Sequence, residues 1–267
     1  APADGPGASP APRSVIILGG ATAVPQTYYR AFASWLAARG HAVITFDYRG
    51  VGASRPERLQ GFSATMLEWG ALDMGGVLAW ARSRWPDVPM DLVGHSFGGQ
   101  ALALTDGARD LRAALLVGAQ CTPSPHWSWA AKLRFLPGLY VVGPALGRVF
   151  GYVPGWVGLS EDLPSGVLSE WARWIRSPGY LFDHVPGAKE RAAALRLPIR
   201  AYAVTDDTYA PVPAVEDLLH RFTTAPVDPR VVSPAEVGAQ VIGHFGFFRA
   251  AFADTLWVEA ADWLESR

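Results

Sequence analysis

Short runs of aliphatic and β-branched residues alternate with amphipathic segments along most of this chain. Residues 15–18 and 42–46 are strand-like runs, and the apolar residues between them recur at the spacing of one helix face. Strand-like runs follow again at 90–93 and 113–117. Helices that connect successive strands in this way produce a parallel sheet with helices packed on its faces. The alternation therefore predicts an α/β fold built on a mostly parallel sheet.

The alternation stops between residue 122 and about residue 198, where proline and tryptophan are frequent. It returns with a strand at 199–204, a strand near 230–232 and a terminal helix at 255–266. We therefore expect a single α/β domain over residues 13–267. Its sheet has six strands, and a helical, aromatic-rich cap is inserted at about 122–198.

The composition excludes several classes of function. The chain has 23 basic and 24 acidic residues, and no basic run exceeds two residues, so we expect no nucleic-acid partner. The apolar runs have the length of strands and not the roughly 20 residues of a membrane helix, so no membrane partner is expected. Metal-ligand spacings and phosphate-binding glycine loops are missing, so neither a metal nor a cofactor is expected. The single cysteine, Cys121, argues against internal disulfides and favours the cytoplasm.

The segment from Gly94 to Gly98 reads G-H-S-F-G and fits the pattern G-x-S-x-G. In this pattern the serine stands on a sharp turn between a strand and a helix, where larger residues than glycine would clash. The match alone is a weak signal, but a strand-like run precedes it and a helix-like run follows it. Ser96 is therefore the predicted nucleophile. Its hydroxyl needs a neutral imidazole to take its proton and a carboxylate to orient that imidazole.

One of the four histidines that follow Ser96 is favoured as the base. His126 and His184 lie in the predicted cap, and His220 lies in a helical stretch where a surface position is expected. His244 follows the last predicted strand, in a loop before the terminal helix. Because the triad of G-x-S-x-G hydrolases follows the chain order serine, acid, histidine, His244 is the predicted base.

Two adjacent carboxylates, Asp206 and Asp207, follow the strand at 199–204. Ligands of open α/β sheets bind at the carboxyl ends of strands, so either residue could orient the base. Adjacent side chains at a strand end point in opposite directions, so only one of them can do so. The D-x-x-x-P spacing to Pro211 favours Asp207 and leaves Asp206 to cap the following turn.

These motifs resemble the α/β-hydrolase superfamily and, more narrowly, a group of bacterial proteins known mainly as predicted α/β-hydrolases. The resemblance extends from about Arg13 to the end of the chain. It rests on the segments GATAVPQTYY (20–29), FDYRGVGASRP (46–56), GHSFGGQ (94–100), EDLP (161–164), EWARW (170–174), TDDTYAP (205–211) and IGHFGFFR (242–249). The resemblance implies the α/β-hydrolase fold, with Ser96, Asp207 and His244 as its catalytic triad. It supplies no substrate.

An oxyanion formed at Ser96 needs two fixed hydrogen-bond donors. The backbone N–H of Phe97, the residue after the nucleophile, is the expected first donor. Members of the superfamily carry an H-G-x loop after the first strand, and alignment of that loop with residues 19–21 implies Ala21 as the second. Thr22 is the alternative. This chain has glycine at position 19 where the loop usually has histidine.

A second departure from the superfamily concerns the start of the chain. Relatives usually have a β-hairpin before the strand at 15–18, whereas residues 1–12 are rich in proline and glycine and are expected to form a flexible tail. The strand at 42–46 then becomes an edge of the sheet, and an exposed apolar edge tends to pair with another chain. We therefore expect either a homodimer or a tail folded over this edge.

The predicted function is that of a serine hydrolase that cleaves an ester or thioester of an apolar acyl substrate through an acyl-enzyme. The tryptophans of the insertion are expected to form the core of the cap or an acyl-binding wall. The candidate substrate-binding residues are His95, Trp127 and Trp171. Acyl transfer or elimination with the same triad is an alternative, and a non-catalytic binding protein with this fold is a second one.

Overall fold

The computed structural model describes residues 11–121 and 124–267. Its strands, in chain order, are β1 (Val15–Gly19), β2 (Ala42–Thr45), β3 (Met90–His95), β4 (Ala113–Val117), β5 (Tyr152–Val153), β6 (Leu163–Pro164), β7 (Ile199–Val204) and β8 (Val227–Val232). Its α-helices are α1 (Arg30–Ala38), α2 (Met66–Glu68), α3 (Gly75–Arg84), α4 (Phe97–Gln100), α5 (Trp129–Pro137), α6 (Gly143–Phe150), α7 (Ser165–Ile175), α8 (Ala188–Ala194), α9 (Val212–Leu219), α10 (Gly243–Gly246) and α11 (Val258–Glu265). Turns of π-helix join α2 to α3, join α5 to α6 and precede α11.

Six of the strands form one sheet in the order β2–β1–β3–β4–β7–β8, and every neighbouring pair is parallel. Strands β1, β3 and β4 are buried over their whole length. Their nearly continuous apolar sequence fits this position, because helices cover both faces of such a sheet. One face packs against a cluster that includes Trp69 and Phe97, and the other against a cluster that includes Phe32 and Trp257. The predicted six-stranded α/β fold is confirmed.

The chain after Ser96 departs from the sequence prediction. The helix-like run after the G-H-S-F-G motif predicts a helix from residue 100 to residue 108, whereas α4 ends at Gln100 and short 3₁₀ turns follow. The Thr105 hydroxyl lies 2.8 Å from the carbonyl oxygens of both Ala101 and Gly70. A local bond of this kind competes with continued α-helix, because the hydroxyl takes a carbonyl that the helix would use.

The sheet has β2 at one edge and β8 at the other. Strand β8 begins at Val227, earlier than predicted, and accommodates Pro229 because one side of an edge strand needs no ladder hydrogen bonds. Strand β2 is half-buried, and within residues 11–121 and 124–267 no strand precedes β1. Residues 1–10 of the predicted tail lie outside the described residues. The pairing of β2 with a second chain or with the tail stays a prediction.

Residues 124–198, which are the larger part of the segment between β4 and β7, are called the cap segment here. It contains α5 to α8 and the antiparallel pair β5–β6. Trp127 and Trp174 are buried, as expected, but Trp129 and Trp156 are 79% and 75% exposed. The expectation that the tryptophans of the insertion form a core or an acyl wall is therefore wrong for these two. None of the described helices combines the length and apolarity needed to span a membrane.

Candidate active site

Ser96 stands on the turn between β3 and α4, with φ at +52° and ψ at −115°. This left-handed backbone conformation is strained for a residue with a side chain. Glycines on both sides make the turn possible. A Cβ at Gly94 would lie 2.6 Å from the Cα of Gly99, and a Cβ at Gly98 would meet the carbonyl oxygen of Gly19. The motif therefore needs glycine at both positions, because neighbouring backbone atoms lie where a Cβ would be.

His244 and Asp207 form a buried pair, with His244 Nδ1 2.7 Å from Asp207 Oδ2. Because a carboxylate can only accept, Nδ1 carries the proton and Nε2 is left as an acceptor. The other oxygen, Asp207 Oδ1, accepts hydrogen bonds from the backbone N–H groups of Tyr209 and Ala210 at 2.8 and 2.9 Å. The carboxylate is therefore fixed on both sides and holds the imidazole in one tautomer.

Gly118, directly after β4, lets the backbone approach this pair. Its φ is +56°, and a Cβ there would lie 3.1 Å from His244 Nδ1 and 3.3 Å from Asp207 Oδ2. A side chain at Gly118 would crowd the two hydrogen-bonded atoms, His244 Nδ1 and Asp207 Oδ2. The sequence offers no sign of this role, because the glycine lies far in the chain from both.

Asp206 has a different role from the one that the sequence suggested. Its carboxylate accepts hydrogen bonds from the backbone N–H groups of Ile242 and Gly243, at 3.0 and 2.9 Å. The interpretation of Asp206 as the cap of the following turn is wrong, since Asp207 itself caps that turn. Asp206 instead anchors the two residues that precede His244. Local spacing could not reveal this, because the partners are 36 and 37 residues apart.

A cavity of about 310 Å³ contains Ser96 and His244 in its wall. The other lining residues are Ala21, Thr22, Gln120, Gly158, Leu159, Ser160, Trp171, Tyr209 and Phe245. The cap segment supplies the part of this wall from Gly158 to Ser160, together with Trp171. His126, His184 and His220 are not among the lining residues, which agrees with their rejection as the base.

A second cavity of about 290 Å³ adjoins the first, and both have Leu159, Trp171 and Tyr209 in their walls. Its other lining residues are mainly apolar and include Trp127, Phe135, Leu139, Val153 and Leu168. Of the candidate substrate-binding residues, Trp171 lies between the two cavities and Trp127 faces only the second. A larger groove of about 520 Å³ lies beside β2, but neither Ser96 nor His244 lines it.

The two backbone N–H groups expected to bind the oxyanion differ in whether they already donate a hydrogen bond within the protein. Phe97 is the first residue of α4, and the N–H groups of a first helical turn have no partner within the helix. The Ala21 N–H, in contrast, donates to the Tyr29 hydroxyl at 2.8 Å. An N–H held in this way is not free for an oxyanion, so the structure argues against Ala21 and leaves Thr22, which also lines the cavity.

The same tyrosine belongs to a buried chain of hydrogen bonds beneath the site. Tyr29 Oη lies 2.8 Å from His95 Nδ1, and His95 Nε2 lies 2.9 Å from the carbonyl oxygen of His244. A carbonyl only accepts, so Nε2 donates and Nδ1 accepts from the tyrosine. Burial lowers the pKa of His95 well below its usual value, which keeps the ring neutral as this pattern requires.

This arrangement corrects the interpretation of His95 as a substrate-binding residue. The side chain is completely buried and both ring nitrogens bond within the protein. His95 and Tyr29 instead connect three loops: the one with Ala21, the turn with Ser96 and the one with His244. No spacing in the sequence indicates this role for Tyr29, since its partner His95 is 66 residues away.

Tyr29→Phe is expected to lower kcat about tenfold with little change in KM. The change leaves His95 Nδ1 and the Ala21 N–H without partners, which costs about 1–3 kcal/mol for a buried polar group. Steady-state ester hydrolysis and urea unfolding measure the two effects. Tyr48→Phe is the matched control, because the buried Tyr48 hydroxyl has no hydrogen-bond partner among the described residues. Equal behaviour of the two variants would contradict this role for Tyr29.

Among residues 11–121 and 124–267, no group of three or more His, Cys, Asp or Glu side chains could hold a metal ion. The groups that the structure brings together at the site are a serine hydroxyl, an imidazole, a carboxylate and backbone N–H groups. Such a set suits nucleophilic attack on an acyl carbon.

The backbone is similar to those of solved lipases and esterases. A monoacylglycerol lipase from Paleococcus ferrophilus superposes with a TM-score of 0.62 at 16% identity, with 96% of this chain and 95% of that chain covered. A soluble variant of monoglyceride lipase from Saccharomyces cerevisiae gives a TM-score of 0.70 at 15% identity, with coverage of 96% and 87%. An esterase from Pyrococcus furiosus gives a TM-score of 0.59 at 13% identity, with 96% of this chain and 82% of that chain covered. The fold is thus that of the α/β-hydrolases.

A family model described as serine aminopeptidase, S33 (Hydrolase_4) matches residues 10–228. Because the match spans well over half of the chain, this protein belongs to that family of α/β-hydrolases. The matched region includes Ser96 and Asp207 and ends before His244. No curated protein matches the chain in sequence.

Proposed function

We propose that this protein is a serine hydrolase that cleaves an ester or thioester of an apolar acyl group. The observation that carries the proposal is that Ser96, on its strained turn, and His244, which is paired with Asp207, line one cavity. An adjoining apolar cavity gives an acyl chain a place to lie.

The mechanism follows from the proton positions at the site. His244 Nε2 accepts the proton of Ser96 Oγ as the oxygen attacks the acyl carbon. The N–H groups of Phe97 and Thr22 hold the resulting oxyanion. Collapse of the tetrahedral intermediate expels the alcohol or thiol, which takes the proton from His244, and leaves the acyl group on Ser96. Water then attacks the acyl-enzyme with His244 as base, which releases the acid and restores the serine.

The family name refers to an aminopeptidase, and the cavity does not favour that substrate. A peptide with a free amino terminus carries a positive charge, and a buried charge needs a partner of opposite sign. No Asp or Glu is found among the described residues that line the cavity with Ser96. Asp207, the nearest carboxylate to the triad histidine, is fully engaged. The uncharged wall therefore favours a neutral acyl substrate.

Acyl transfer and elimination remain the alternatives within the same chemistry, since the triad and the first step are shared. A non-catalytic binding role is disfavoured, because the strained turn at Ser96 and the paired carboxylate have no function in simple binding. The proposal includes a cytoplasmic location, supported by the single, buried Cys121. A homodimer formed through β2 is a further proposal, supported by its position at the sheet edge.

Purified protein is expected to hydrolyse p-nitrophenyl octanoate with a higher kcat/KM than p-nitrophenyl acetate. Leu159→Trp, placed between the two cavities, should lower kcat/KM for octanoate about tenfold or more while acetate changes little, because the acyl chain can no longer reach the second cavity. Leu72→Trp, at an exposed position, is the control. Hydrolysis of aminoacyl p-nitroanilides in preference to these esters would contradict the proposed substrate class.

A further inference from the structure

The outer side of the cap segment carries large apolar side chains in water. From Trp129 to Phe150 the chain is continuously helical, since a π-helical turn at Gly138–Val142 joins α5 to α6. Four exposed side chains recur along it at intervals of four or eight residues. They are Trp129, Leu133, Val141 and Val149, with exposures of 79%, 72%, 66% and 71%. Residues at such intervals lie on one face of a helix.

The opposite side of this helical run is packed. Ala131, Leu139 and Gly143 are buried, and a Cβ at Gly143 would meet the side chain of Leu168 in α7. The helical run therefore packs on α7 of the same cap segment, with its apolar stripe turned outward. This stripe, together with Val142, Phe150 and Trp156, is called the outer cap face here. An exposed apolar surface of this kind is typical of a binding surface.

The charge pattern of the same region is one-sided. No Asp or Glu occurs from Leu111 to Ser160. Three cationic residues, Lys132, Arg134 and Arg148, lie on the helical run itself. Arg134 and Arg148 are exposed, and the Lys132 ammonium lies 5.5 Å from the ring centre of Trp129. The helical run is thus apolar and basic with no acidic residue of its own, while Asp162 accepts a hydrogen bond from the Gly155 N–H beside Trp156.

We propose, in place of the sequence-based expectation of no membrane partner, that the outer cap face binds the surface of an anionic lipid bilayer. Tryptophan, leucine and valine along one side of a helix, flanked by lysine and arginine, are the features of a helix that lies in a lipid interface. The indole rings suit the boundary between headgroups and acyl chains. A second copy of this chain is the less fitting occupant, because the helical runs of two copies would bring Lys132, Arg134 and Arg148 of each together.

The second cavity lies against the same helical run as the outer cap face. Arg134, Gly138 and Val142 belong to the helical run and also line the second cavity. Binding of the outer cap face to a bilayer would therefore place the apolar cavity beside the lipid, from which an acyl chain could enter. The lipid binding itself rests on the exposed residues and does not depend on the proposed hydrolase reaction.

Co-sedimentation with vesicles tests the proposal. The protein is expected to pellet with vesicles of phosphatidylcholine and phosphatidylglycerol, and less with phosphatidylcholine alone. The double variant Trp129→Ser, Trp156→Ser should lower the partition coefficient at least tenfold, because it removes two large interfacial side chains. Arg148→Gln should lower it about fivefold on the anionic vesicles only. Trp80→Ser is the matched control, since Trp80 is 55% exposed on α3 and lies outside the cap segment.

Labelling of Ser96 by a fluorophosphonate, measured on the same samples, separates this proposal from the proposed function. Lipid binding with no labelling would refute the hydrolase and leave the surface proposal standing. Failure of the folded wild-type protein to pellet, or equal pelleting of the double variant, would overturn the surface proposal. A dimer in solution that the double variant abolishes, without any lipid binding, would assign the outer cap face to a second copy of the chain.

Discussion

Ser96→Ala is expected to lower kcat for ester hydrolysis by a factor on the order of 10⁶, which leaves activity near the background rate. The loss is this large because alanine has no nucleophile, so neither the attack nor the acyl-enzyme can form. Steady-state assays with p-nitrophenyl esters measure it. The turn at Ser96 tolerates alanine as well as serine, since both have a Cβ, so the variant should stay folded.

Ser160→Ala provides a control within the same cavity. Ser160 also lines the space around Ser96 but belongs to the cap segment, and its loss should change kcat by less than about tenfold. Substantial turnover by Ser96→Ala, or an equal loss in both variants, would contradict the role given to Ser96.

Asp207→Asn is expected to lower kcat by about 10⁴. An asparagine amide that faces His244 Nδ1 donates where the carboxylate accepts, so the imidazole is held in the wrong tautomer and cannot take the serine proton. The free energy of unfolding should change less than activity, because the amide oxygen can still accept from the N–H groups of Tyr209 and Ala210.

The neighbouring variant Asp206→Asn is the comparison for Asp207→Asn. Asp207 orients the ring of His244, whereas Asp206 holds the backbone before His244. Asparagine keeps one oxygen for the N–H groups of Ile242 and Gly243 and loses the other, so one hydrogen bond to a charged group is removed. A loss of about tenfold or less is expected. Comparison of kcat for the two variants under the same conditions decides the assignment, and a larger loss at Asp206 would reverse it.

Much of this fold follows from the sequence because its signals are local. Strands β1, β3 and β4 are short aliphatic runs, and a strand buried on both faces has few other sequences available to it. The turn at Ser96 was recognisable for the same reason, since its glycines are needed within two residues of the serine. Pairing of His244 with an aspartate at the end of β7 followed from the order of residues along chains of this type.

The parts that the sequence did not predict depend on contacts between distant segments. Tyr29 and His95 meet across 66 residues, and Asp206 meets the loop before His244 across 36. No spacing rule links such pairs. The packing of the cap segment could not be predicted either. Its helical run has apolar residues on both sides, so periodicity alone does not show which side faces water. Only the structure shows that the side chains of Trp129 and Trp156 are exposed to water.

Activation of Ser96 as the nucleophile is measured by intact-mass spectrometry after incubation with a fluorophosphonate. We expect one adduct on the wild-type protein, none on Ser96→Ala and one on Ser160→Ala. An absence of adduct on folded wild-type protein, or an adduct that persists in Ser96→Ala, would show that Ser96 is not the activated nucleophile.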